Sequence, residues 1–94
     1  MKVKAGLIGL GGLGYEQAKN LATAVPGVEL AAICDQDESK LRAVKAELGV
    51  EKAYTDYAAM CADNELDAIV IVSPSALHTA HIQTALQSGK HVFC

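Results

Sequence analysis

Val3-Lys4-Ala5-Gly6-Leu7-Ile8-Gly9-Leu10-Gly11-Gly12-Leu13-Gly14 decides how this chain is read. Apart from Lys4, Val3 to Leu10 is an apolar run rich in β-branched and small residues. That run is too continuous for a strand with one wet face, and it predicts a central parallel strand buried on both sides. Gly9, Gly11 and Gly14 fall into a G-x-G-x-x-G pattern, which is weak by itself. Here it follows a buried strand and opens a helix, the context in which the pattern acquires a mechanism. Gly9 permits a tight turn, Gly11 lets backbone N–H groups approach a pyrophosphate, and Gly14 lets the helix lie close on the strand. The helix N-terminus adds unpaired N–H donors and partial positive charge for phosphates.

Outward from the loop, Ala18, Leu21, Ala22 and Val25 recur at helical spacing and predict the buried face of the first helix, stopped by Pro26-Gly27. Val28 to Cys34 predicts a second strand. Asp35 to Asp37 form the next turn, with Asp37 as helix N-cap and Glu38 suited to the positive helix end. Leu41, Val44 and Leu48 mark the second helix, with Gly49 as its left-handed terminator. Glu51 to Tyr54 predicts a short edge strand, and Thr55 is placed to cap a brief helix through Met60 and Cys61. Asp67 to Val72 is another apolar strand, ending in Ser73-Pro74-Ser75. A helix from about Leu77 to Gln87 is expected to turn Ile82, Ala85 and Leu86 to the sheet. Ser88-Gly89-Lys90 closes it, and His91 to Cys94 begins a fifth strand. Strands and helices alternating through short connections imply right-handed crossovers and an α/β, doubly wound parallel sheet of order 3-2-1-4-5. A ligand crevice is expected where that order reverses, between the first and fourth strands.

Composition agrees and excludes other classes. Of 94 residues, 51% are hydrophobic and 20% charged, the net charge is −3, and there is no basic run to hold a nucleic acid. No apolar stretch reaches the ~18 residues that span a membrane, and the N-terminus lacks a cleavable signal pattern. Cys34, Cys61 and Cys94 are odd in number and far apart, which argues against a disulfide framework or a zinc cluster. A cytoplasmic protein with reduced thiols is expected.

Asp35 ends the second strand about twenty residues beyond the glycines, where an acid hydrogen-bonds a ribose diol. A carboxylate there repels a 2′-phosphate, so NAD is expected in preference to NADP. The competing reading is that Asp35 only helps cap the next helix. Lys40 and Arg42 follow on that helix and leave some tolerance of NADP open. Ser73-Pro74-Ser75 stands at the end of the fourth strand, on the same rim as the glycines. It either lines the nicotinamide ribose or is an ordinary turn with Ser75 as N-cap. His78 and His81, three apart, have no third ligand and read as surface or packing histidines. Cys34 and Cys61 read as small core residues.

Together these segments resemble the N-terminal domain of the glucose–fructose oxidoreductase / inositol dehydrogenase (Gfo/Idh/MocA) family. The matching pieces are the glycine loop, Ile33-Cys34-Asp35, Ala53-Tyr54-Thr55-Asp56-Tyr57 and Asp67-Ala68-Ile69-Val70. Ser73-Pro74-Ser75-Ala76-Leu77-His78 and Gly89-Lys90-His91-Val92-Phe93-Cys94 complete the set, in family order. The resemblance implies a Rossmann domain over residues 1–94, partial, with the substrate domain absent. In the family, Glu-Lys-Pro follows directly on the residues matched by His91 to Cys94, and a larger substrate domain comes after it. The resemblance also sets Ser73 to His78 along the nicotinamide end, with Ser75 in place of the usual Asn. Tyr15 and Gln17 stand where the family often has Arg and His.

The expected cofactor-binding set is Gly9, Gly11, Gly12, Leu13, Gly14, Asp35, Gln36, Ser73, Pro74, Ser75 and His78, with no catalytic and no metal residue. The implied activity is hydride transfer between a sugar or polyol hydroxyl and NAD by the whole protein, with no turnover by these 94 residues. Self-association through an exposed sheet edge at Val92 and Phe93 is expected. A stand-alone nucleotide-binding or sensing module is the alternative. A fold binding S-adenosylmethionine is a third reading, disfavoured by the last glycine of the loop and by the Gly89–Cys94 segment.

Overall fold

Five parallel strands form one sheet in the computed structural model, which describes residues 2–73 and 75–94 but not the side chains of 75–78. In chain order the elements are β1 (Val3–Ile8), α1 (Gly12–Thr23), β2 (Val28–Cys34), α2 (Glu38–Leu48), β3 (Lys52–Tyr54), α3 (Tyr57–Cys61), β4 (Ala68–Ile71), α4 (Ser75–Gln87) and β5 (His91–Phe93). The sheet order is β3-β2-β1-β4-β5, as the alternation of elements predicts. β1 is central, pairing with β2 through Leu7 opposite Ile33 and with β4 through Leu7 opposite Val70.

Two apolar layers sandwich the sheet. On one face Leu7, Leu30 and Ile33 meet Ala18 of α1 and Leu41 and Val44 of α2. On the other, Ile8, Ala32, Ile69 and Ile71 meet Met60 and Cys61 of α3 and Ala85 of α4. Alternate side chains of β1 thus enter opposite layers, which is why its sequence shows no polar alternation. Gly6 lets α3 approach that strand: a β-carbon there would lie 2.9 Å from the Leu66 side chain and 3.0 Å from the Met60 sulfur.

Local signals fix most of the boundaries. Asp37 caps α2, its carboxylate accepting from the Ser39 and Lys40 amides at 3.0 and 3.2 Å. Gly49 ends the same helix at φ 67°. Three expectations are corrected. Thr55 does not cap α3. Asp56 does, accepting from the Ala58 amide at 3.0 Å, so the helix starts one residue later than a Thr55 cap would set. Of the face expected on α1, Ala18 is buried and Leu21 half-buried, but Ala22 is exposed. Val25 lies beyond the helix, which ends at Thr23, and is 40% exposed. The stripe that packs runs from Gly14 through Ala18 to Leu21. Leu86 is 59% exposed because α4 turns His81, Ile82 and Ala85 inward, and the residue after Ala85 is rotated about 100° away.

The β3 edge is held by ions. Lys52 Nζ lies 2.8 Å from Asp63 and 2.5 Å from Glu65, and the Tyr54 hydroxyl donates to Asp63 at 2.7 Å. Hydrogen bonds from Lys52, from the Glu65 amide and from Tyr54 bring the Asp63 carboxyl down from 3.8 to about 2. A carboxyl held lower in the folded than in the unfolded state contributes stability in full above its unfolded value. That contribution fades as pH falls toward the folded value. Unfolding midpoints should therefore drop between pH 3.8 and about 2. Asp63→Asn should flatten that slope in acid denaturation followed by circular dichroism.

Candidate functional site

Where β1 and β4 diverge at their carboxyl ends, the fold leaves a cleft of 1020 Å³. Reversal of strand order sends the helix after β1 to one face of the sheet and the helix after β4 to the other. The rim between them is left as a crevice, and ligands of open α/β sheets bind there.

The glycine loop forms its floor. Gly9 has φ 101°, open to glycine at little cost, and its N–H donates to the Cys34 carbonyl at 2.9 Å. A β-carbon on Gly14 would lie 1.8 Å from the Gly9 carbonyl oxygen, so the first turn of α1 rests directly on the loop. At Gly11 and Gly12 a β-carbon would meet nothing within 4 Å; these two face open space. Gly11 is the N-cap of α1, no side chain caps the helix, and its first turn holds no acid. The first amides of the helix are thus left without a side-chain cap, at the positive end of its dipole beside the cleft.

Asp35 bridges the two halves of this wall. One carboxylate oxygen accepts from the Leu10 amide at 2.8 Å, the other from the Asp37 amide at 2.9 Å. It does not cap α2, which is the work of Asp37. Each oxygen keeps further acceptor capacity toward the cleft, which Asp35 lines beside Gln36 and Lys40.

The opposite wall follows β4. Ser73 lines the cleft, and its Oγ lies 2.6 Å from Nδ1 of His81. That imidazole is 5% exposed and meets the Tyr57 ring edge-on at 4.2 Å. No metal-binding group of three His, Cys, Asp or Glu occurs among the described residues. Burial, then the charges of Asp35 and Asp56, push the Cys34 thiol up to about 12; burial also raises Cys61. Both thiols keep their protons and act as core residues.

Of the residues expected from sequence, Gly9, Gly11, Gly12, Leu13, Gly14, Asp35, Gln36 and Ser73 all line this one cleft. Pro74 and the side chains of Ser75 and His78 lie outside the described residues. Gln17, Lys40, Thr55, Tyr57 and His81 also line it, Lys40 from the helix on which it bears on NADP tolerance and the others outside the expected set. The signal for His81 was a polar residue at helical spacing from Ala85, a position otherwise suited to an apolar side chain. Tyr15 turns away, its hydroxyl donating to Glu47 of α2.

Comparison with known proteins bears directly on this geometry. The profile of the oxidoreductase family with NAD-binding Rossmann fold, GFO_IDH_MocA, matches residues 3–94. The chain belongs to this family. Among curated Gfo/Idh/MocA relatives, it is 39% identical over 92 residues to a scyllo-inositol 2-dehydrogenase (NAD(+)) of Bacillus subtilis, covering 98% of the chain and 27% of that protein. It is 40% identical over 91 residues to a D-xylose 1-dehydrogenase (NADP(+)) of Haloferax volcanii, covering 95% of the chain and 27% of the relative. Among solved Gfo/Idh/MocA structures, the scyllo-inositol dehydrogenase of Lactobacillus casei with bound NAD(H) and scyllo-inositol superposes with TM-score 0.94. It shares 40% identity over 98% of this chain and 27% of that one. The chain thus spans about a quarter of the length of these relatives and carries the family's NAD-binding Rossmann domain. Among the described residues, no helix is long and apolar enough to cross a membrane.

Proposed function

We propose that the cleft holds NAD(H) across the β1/β4 divide, and that the whole protein moves a hydride between a sugar or polyol hydroxyl and the nicotinamide. The observation that carries this reading is the alignment of three chemistries along one cavity. Asp35 and Gln36 offer acceptors for the adenosine ribose, the open amides of Gly11, Gly12 and Leu13 face the diphosphate, and Ser73 stands at the nicotinamide half. Gly9 and Gly14 shape the loop. By resemblance to the family, Pro74, Ser75 and His78 extend the nicotinamide wall. The Asp35 carboxylate disfavours a 2′-phosphate and sets the preference for NAD, with Lys40 moderating it. Buried, proton-bearing thiols suit a cytoplasmic setting.

Hydride transfer is the cofactor's own chemistry, and the protein must add a base and a substrate pocket. We assign both to a substrate domain, in the part of the relatives this chain does not match. NADH should bind the purified chain, with NADPH weaker and S-adenosylmethionine without effect, in parallel fluorescence titrations. Absence of NADH binding would remove the reading. Polyol-dependent reduction of NAD+ should be undetectable with the 94 residues alone; measurable turnover would overturn the division of labour.

β5 forms one edge of the sheet, with Val92 half-buried and Phe93 59% exposed. An uncovered apolar edge invites pairing with a second copy. The chain should therefore self-associate with rising concentration in sedimentation velocity, and Phe93→Lys should reduce it. A single monomer species at high concentration would count against this.

A further inference from the structure

His81 stands out among the described residues as a buried polar side chain, and the cofactor reading leaves it without a task. It sits on α4 at the rim of the cleft, bonded through Nδ1 to the Ser73 hydroxyl at 2.6 Å. We infer that His81 is a positioning residue that sets the direction of the Ser73 hydroxyl proton and makes the nicotinamide half of the cleft sensitive to the charge of the bound cofactor. This rests on the reading of the cleft as an NAD(H) site.

In the neutral ring with its proton on Nε2, Nδ1 accepts from the Ser73 O–H. Ser73 Oγ then presents lone pairs to the cleft and suits a ribose hydroxyl as donor. When the ring takes up a proton, Nδ1–H donates to Oγ instead, and the serine proton turns outward into the cleft. The hydroxyl changes from acceptor to donor, and a positive charge appears on the wall. The nicotinamide ring is cationic in NAD+ and neutral in NADH, so that charge opposes the oxidised cofactor more than the reduced one. Among the described residues, α3 brings Tyr57, in ring contact, and the buried Cys61 near this wall, with Asp56 at the N-cap of that helix. Cys34 at the end of β2 and Cys94 just after β5 line the cleft, whereas Lys90 and His91 lie at the opposite end of β5, around a second cavity with Lys2 and Asp67. The carboxylates of Asp35 and Asp56 act on Cys34, and Asp56 and Lys90 act on Cys61 with opposite signs.

The test is the ratio of dissociation constants for NAD+ and NADH, measured by calorimetry on the purified chain from about pH 8 to about pH 6. The ratio should rise about fivefold on acidification. His81→Gln keeps a hydrogen-bonding partner for Ser73 without a titratable proton, and its ratio should be flat. Nitrogen-15 shifts of the wild-type ring should report the Nε2–H tautomer at the alkaline end, a readout that survives if the variant does not fold. A pH-independent ratio in the wild type, a slope that persists in His81→Gln, or an Nδ1–H tautomer each overturns the inference while NADH binding stands. A wild-type chain that binds neither cofactor at about pH 8 overturns the cofactor reading, and this inference with it.

Discussion

Gly14→Ala should destabilise the chain by about 3 kcal/mol or more, because the added methyl has no place to go. Its β-carbon would lie 1.8 Å from the Gly9 carbonyl oxygen and 2.8 Å from the carbon of that group. Both contacts are backbone, so no rotamer change relieves them. Gly9 cannot retreat, since its own N–H is tied to the Cys34 carbonyl and Val72 and Ser73 stand within 3 Å of where a side chain on it would begin. Relief requires α1 to lift from the sheet, which loosens Ala18 and Leu21 in the apolar layer beneath. Gly11→Ala and Gly12→Ala give the contrast. Nothing lies within 4 Å of either β-carbon, so unfolding free energy should move by less than about 1 kcal/mol. NADH affinity should fall at least about tenfold, since each methyl enters the space proposed for the diphosphate. Urea unfolding and NADH titration on the three variants check this. Equal stability loss in all three would contradict the assignment of roles.

Asp35→Ala should lower NADH affinity by more than about tenfold and destabilise the cofactor-free chain by about 1–3 kcal/mol. Two causes act together. The ribose diol loses its acceptor, and the amides of Leu10 and Asp37 lose theirs. Leu10 is 2% exposed, so water does not readily replace the carboxylate at its amide. Asp35→Arg removes the charge that repels a 2′-phosphate and should shift preference toward NADPH while carrying the same penalty in stability. Paired unfolding curves and titrations with both cofactors measure the two effects. NADH affinity unchanged by Asp35→Ala would remove the ribose role and leave only the structural one.

The features legible in the sequence were those set by local physics. Unbroken apolar runs gave buried parallel strands, Asp37 and Gly49 marked both ends of α2, and the glycine spacing located the loop. Sequence and structure part where long-range packing decides. Thr55 and Asp56 are both competent caps, and the chain direction after β3 selects the acid. Leu86 is more apolar than His81, yet the angle at which α4 meets the sheet buries the histidine and leaves the leucine wet. Lys40, Tyr57 and His81 reach the cleft from three different elements, and no spacing along the chain relates them. The double engagement of Asp35 was likewise hidden, because its partner Leu10 lies on another strand's end.

That engagement constrains how such a domain changes over generations. A lineage drifting from one dinucleotide to the other by replacing Asp35 alone would pass through a less stable ancestor, with the Leu10 amide stranded. Descendants that first acquire a new acceptor for that amide have the easier route. The order of substitutions is therefore restricted by folding before selection for the cofactor begins.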